Sequence, residues 1–145
     1  MIRCVQVGTL LLCSALLGCD LILDIVPSPL TTIRLVNNSD FDVEVVIFID
    51  DEQDIPEELI SETGTELRFT LSPGETTSFS RVCNNLQALI VEDADLRVIG
   101  GAGPDASTDV LRDGDDFGCG DLIILTFDHS DAIVDFDVSV SVEAR

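Results

Sequence analysis

In the segment Ile133 to Glu143 apolar and polar residues alternate without a break from Val134 onward. Val134, Phe136, Val138, Val140 and Val142 fall on one side of an extended chain, and Asp135, Asp137, Ser139, Ser141 and Glu143 on the other. A helix would scatter those five apolar residues around its circumference, whereas the period of two gathers them on one face, so the segment is predicted as a strand with one buried side. Phe41 to Ile49 alternates in the same way at first, with Val43, Val45, Ile47 and Ile49 inward and Asp42 and Glu44 outward. It then becomes apolar on both sides at Val46 and Phe48, which predicts a far end covered on both faces.

Further strands are predicted at Ile33 to Val36, Leu67 to Leu71, Thr76 to Val82, Leu86 to Glu92, Leu96 to Ile99 and Leu122 to Asp128. Turn chemistry separates them at Asn37-Asn38-Ser39-Asp40, Ser72-Pro73-Gly74-Glu75 and Asn84-Asn85. Asp54 to Ser61 carries Pro56 early and Glu57 and Glu58 after it, the pattern of a short helix inside a loop. The stretch from Gly100 to Gly120, rich in Gly and Asp, reads as a long surface loop holding a short strand near Val110-Leu111. About seven to eight short strands with this punctuation predict an all-β fold, an antiparallel β-sandwich of immunoglobulin-like type.

The first residues follow a different plan. Arg3 is followed by a largely apolar run from Val5 to Leu17, too short and too interrupted by Gln6 and Gly8 for a spanning helix of about 20 apolar residues. It has the layout of a signal peptide, and the alternatives are ordinary secretion or a buried N-terminal helix. The run closes on Leu16-Leu17-Gly18-Cys19, which resembles the lipobox of bacterial lipoproteins: a branched apolar residue, a tolerant position, a small residue, then cysteine. That resemblance, confined to the leader, implies that the Cys19 thiol takes up a diacylglyceryl group, that the chain is cut after Gly18, and that the new amine is acylated. Several acyl chains, at about 0.8 kcal/mol per buried CH₂, would anchor the protein to a membrane on the non-cytoplasmic side. The expected organisation is a signal peptide at 1–18, the lipidated cysteine and a short tether at 19–31, and one domain at 32–145. Pro27 and Pro29 keep the tether out of regular pairing. About a dozen extended residues reach roughly 40 Å, so the domain is expected close to the bilayer.

This address changes the reading of the cysteines. Cys4 and Cys13 would leave with the leader and Cys19 would carry lipid, so Cys83 and Cys119 remain. In an oxidising compartment they are expected to bridge, the alternative being two buried thiols. Composition narrows the partners. Against 28 Asp and Glu the chain of 145 residues has 7 basic residues, every one arginine, for a formal charge of -21. Such a surface repels phosphate backbones and anionic headgroups, so nucleic acid is not an expected partner and the membrane is reached through lipid alone.

Candidate chemistry is sparse. The single histidine, His129, stands between Asp128 and Ser130, and adjacent residues diverge where a hydrolytic triad must converge from separate elements. There is no Gly-x-Ser-x-Gly elbow, phosphate-binding Gly-Lys loop or zinc-spaced Cys/His set. With neither Trp nor Tyr, the chain lacks the rings on which sugars stack, and its 7 phenylalanines are assigned to the core. The remaining candidate is a hard cation: Asp113, Asp115, Asp116 and Asp121 lie in a Gly-rich loop that could offer oxygens to calcium, although the spacing departs from the EF-hand loop. The functional expectation is therefore a non-enzymatic lipoprotein of the cell envelope acting as a structural or protein-interaction module with an envelope protein partner. The alternative is a calcium-dependent binding or adhesion domain.

Overall fold

The structure, a computed structural model, describes residues 29–98, 101, 103–130 and 135–145. The expected leader and most of the expected tether, Cys19 included, lie outside the described residues. Two sheets face one another. The first has the order β4 (Thr76–Val82), β1 (Leu30–Asn37), β8 (Leu122–Asp128), β9 (Asp137–Glu143). The second runs β3 (Thr65–Leu71), β2 (Asp42–Asp50), β5 (Ala88–Arg97). Two short strands extend it: β6 (Asp105–Ala106) pairs with Ala94–Asp95, and β7 (Leu111–Arg112) with Ala88–Leu89. The all-β sandwich predicted from the alternation is the architecture observed, with nine strands among the described residues. Its pairing is antiparallel throughout except between β1 and β8, which run parallel.

The inward rows build one core. Ile33 and Leu35 of β1 and Ile123, Leu125 and Phe127 of β8 meet Val43, Val45, Ile47 and Ile49 of β2 and Leu89, Val91, Ala94 and Leu96 of β5. Full burial of each large aliphatic or aromatic member stabilises the fold by about 1.5–3 kcal/mol before conformational entropy is set against it. The apolar positions on the other side of β2 are also covered. Phe48, with Ala88 and Ile90 of β5, packs against Ile55 and against Ile60 of helix α1 (Glu57–Thr63). Pro56 stands just before α1, Glu57 and Glu58 occupy its first turn, and Gly64 ends it. A Cβ on Gly64 would approach the carbonyl oxygens of Ile60 and Ile49 to 2.5 and 2.9 Å, so only glycine lets the chain turn there into β3.

Three strands differ most from the sequence expectation, while β2 and β3 move by one or two residues. β1 starts at Leu30 rather than Ile33, because Leu30, Thr31 and Thr32 pair with Val82, Arg81 and Ser80. The last strand is Asp137–Glu143, with Phe136 buried just before it and Ile133 and Val134 outside the described residues. The strands expected at Leu86–Glu92 and Leu96–Ile99 are largely one strand, β5. Its register against β2 shifts between Val46, opposite Asp93, and Ile47, opposite Val91, so Glu92 is an inserted bulge residue. Before the bulge Leu89 and Val91 face the core; after it Ala94 and Leu96 do. One extra residue exchanges odd for even positions, and the break in period reads in the sequence as a break in the strand.

The sandwich has two lateral seams where edge strands of opposite sheets face each other. Along one, Phe69 of β3 and Phe79 of β4 stack with ring centroids 5.4 Å apart and planes 16° apart, and the Arg81 guanidinium lies 5.7 Å from the Phe79 centroid. Along the other, β9 faces the segment that holds β6 and β7, a segment tied to β5 rather than to β9: Thr108 N–H donates to Val91 O, and Val91 N–H to Thr108 Oγ1.

Candidate functional site

The chain enters the sandwich at Pro29, and that end is built around a disulfide. Cys83, in a single 3-10 turn after β4, is bonded to Cys119, just before β8, with Cα atoms 5.3 Å apart and a sequence separation of 36. A covalent loop of this length is worth about 4 kcal/mol on the chain-entropy account. Thr31, fully buried, ties the entering strand to the bridge: its Oγ1 accepts from Gly120 N–H at 3.2 Å and lies 3.6 Å from Cys83 Sγ. The Cys83 N–H donates to Pro29 O at 3.2 Å. Beside them stand two exposed apolar side chains that are cross-strand partners, Leu30 at 47% exposure and Val82 at 39%.

The aspartates singled out for calcium lie next to the bridge, and several of their oxygens hold the turns there. Asp116 Oδ2 accepts from Arg112 N–H at 2.8 Å, and Asp121 Oδ2 from Gly118 N–H at 2.7 Å. Asp113 Oδ2 takes the Gln87 amide at 3.4 Å, and its carbonyl the Gln53 amide at 2.6 Å. Asp115 is exposed at the turn tip. Among the described residues no three His, Cys, Asp or Glu side chains are grouped so as to hold a metal ion.

His129 sits at the opposite end. Its Nε2 accepts from Asp40 N–H at 3.1 Å, its Nδ1 donates to Ser130 O at 2.6 Å, and its ring packs on Phe41 with centroids 5.6 Å apart. Both ring nitrogens serve the backbone of two turns. The Ser130 hydroxyl donates to Asp135 Oδ2 at 2.6 Å, away from the imidazole. The residue that organises this end was not among the candidates drawn from the sequence. Asn37, fully buried, donates through Nδ2 to the carbonyls of Phe41, Leu71 and Ser72 at 2.8, 2.9 and 3.1 Å, and its Oδ1 accepts from Ser39 N–H and Oγ. The turn signal at Asn37 was legible; the link to Leu71 and Ser72, which begin the crossing from β3 to β4, is a tertiary contact with no local signature.

A concave surface away from the two ends lies on the second seam. Two adjoining grooves share Glu57, Ser107 and Thr108. One, of about 410 Å³, runs between β9 and the 107–111 segment over Val138, Val140 and Leu111, with Glu57 and Asp109 on its rim. The other, of about 390 Å³, continues over Ile60 and Ile90 between Glu58 and Glu92. No arginine lines either groove; Arg112, the nearest in sequence, turns its guanidinium inward to the carbonyls of Gln53 and Ile55. Val140 belongs to the inward row of β9, opposite Leu125, yet remains 36% exposed.

No family model matches the chain, and no curated protein matches it. Among solved structures, the type VI secretion system lipoprotein TssJ1 from Pseudomonas aeruginosa superposes with a TM-score of 0.45 at 12% identity, covering 82% of this chain and 99% of that one. A protein from Eubacterium rectale gives 0.43 at 18% identity over 77% and 88% of the two chains. Serratia marcescens Lip, a membrane-bound component of the type VI secretion system, gives 0.37 at 10% identity over 79% and 98%.

Proposed function

We propose that this chain is a lipid-anchored module of the bacterial cell envelope that acts by binding another envelope protein, without catalysing a reaction. The observation that carries the reading is the place where the chain enters the domain. Leu16-Leu17-Gly18-Cys19 lies about a dozen residues before the start of β1, and β1 is fastened at once to the disulfide end by Thr31 and the Cys83 N–H. A lipid on Cys19 would hold that end within roughly 40 Å of the bilayer. The apolar pair Leu30 and Val82 would then face the membrane and the Asn37 and His129 end would face away from it, with the β9 seam running sideways between the two ends. Against catalysis stand the engaged ring nitrogens of His129 and the divergent Ser130.

Labelling cells with a palmitate analogue and fractionating them tests the anchor. The full chain should carry label and sediment with membranes, and Cys19→Ala should lose both; equal labelling of the variant would overturn lipidation at this residue. Cross-linking in the native envelope at near-physiological salt tests the binding role, which predicts one reproducible protein partner. Recovery of the chain without a partner would overturn that half of the reading.

A further inference from the structure

We infer that the free edge of β9 is a strand-docking site, and that its occupant is an extended segment of another protein in which apolar and basic residues alternate. The inference rests on the protein-binding reading above and names the surface and the chemistry of the partner. β9 is the last strand of its sheet. Every second residue of an edge strand turns its N–H and C=O outward, a row that an added strand can complete. Edge strands are ordinarily protected by charge, bulges or a covering element. β9 has its charges only at the ends, Asp137 and Glu143, and pairs with β8 without a bulge over its whole length.

The two faces of such an added strand would meet different surroundings. On the inner face lies the groove over Val138, Val140 and Leu111, whose volume of about 410 Å³ is open beside an inward-row valine that nothing covers fully. Apolar side chains of the added strand would fill it. On the outer face the added strand would flank Asp137, Ser139, Ser141 and Glu143, all exposed. Cross-strand pairs of opposite charge are favourable and like pairs unfavourable, so this face calls for lysine or arginine. The same rule argues against a second copy of the chain. Antiparallel pairing of two β9 strands about Val140 would set Asp137 opposite Glu143 at both ends, between two molecules that each carry a formal charge of -21.

Backbone-amide NMR on the full chain in detergent tests the site, with the peptide Lys-Val-Lys-Val-Lys-Val-Lys as probe. Controls are its glutamate counterpart, a peptide of the same composition with lysines and valines in blocks, and a version N-methylated at alternate residues. The alternating basic peptide should shift amides of β9 and of the 107–111 segment; the N-methylated version, without half its donors, should bind at least about tenfold more weakly. Val140→Lys, at a position already exposed, should weaken binding by a similar factor without loss of the folded spectrum. Shifts confined to other surfaces, or equal binding of the blocked or N-methylated peptides, would overturn the inference in favour of diffuse charge attraction. Dimerisation through β9 in sedimentation experiments would overturn it in favour of a second copy. Cys19→Ala leaves β9 intact, so failure of the anchor and failure of the edge are read separately.

Discussion

The two seams of this sandwich differ in how they are closed. The β3/β4 seam is filled by the Phe69–Phe79 stack and fastened at both ends. At one end Asn37 holds the Leu71 and Ser72 carbonyls at the crossing between the strands; at the other, Cys83 immediately follows β4 and is bonded to Cys119. The β9 seam has neither device. Among the described residues no hydrogen bond joins β9 to the 105–112 segment, and Val140 stays partly in water where Phe79 has a ring against it. The contrast separates the side of the molecule that supplies stability from the side left available for contact.

Four measurements break or sharpen that contrast. The largest effect is expected from Cys83→Ser with Cys119→Ser, which frees one end of the closed seam and should lower unfolding free energy by about 4 kcal/mol in chemical denaturation. Asn37→Ala frees the other end by removing its three donated bonds, the buried one to Leu71 O among them, while Ser72 O keeps the Glu75 N–H and Phe41 O the Ser39 hydroxyl; the expected loss is about 1–3 kcal/mol. Within the seams themselves, Phe79→Ala should cost about 2 kcal/mol and Val140→Ala under about 1 kcal/mol, because the larger side chain and the aromatic stack are at the first site. Equal losses at the two positions would mean that the seams do not differ.

The smallest effect concerns charge beside the open seam. Burial, and then the neighbouring Asp95 and Asp105, raise the Asp93 carboxyl above its usual value of 3.8. The folded protein thus holds this proton more tightly than the unfolded chain. The associated stability is present below 3.8 and is lost as pH rises through the raised value. Asp93→Asn should therefore raise the melting temperature slightly at neutral pH and leave it unchanged in acid, as thermal melts at the two pH values would show. The closed seam predicts no such pH dependence from Phe79.

Strand positions were legible where the alternation runs without interruption between turn signals, as in Thr76–Val82 and Leu122–Asp128, which match the expected bounds. The double-sided apolar run at Val46 and Phe48 correctly announced a covered outer face, here supplied by Ile55 and Ile60. Alternation failed at Glu92 because a bulge changes parity without ending the strand. It misled more instructively in β9: the pattern puts Val138, Val140 and Val142 on one row, and only the arrangement of the 107–111 segment decides that Val138 is buried while Val140 is not.

The sequence alone determined the all-β class and most of its strands, since period and turn chemistry are local properties of the chain, and it offers Cys19 as a candidate anchor through a motif that is equally local. The tertiary structure decided which strands meet, where Asn37 sends its hydrogen bonds and which seam stays open. Those outcomes depend on contacts between residues far apart in sequence, and no local pattern encodes whether a second element arrives to cover an apolar row.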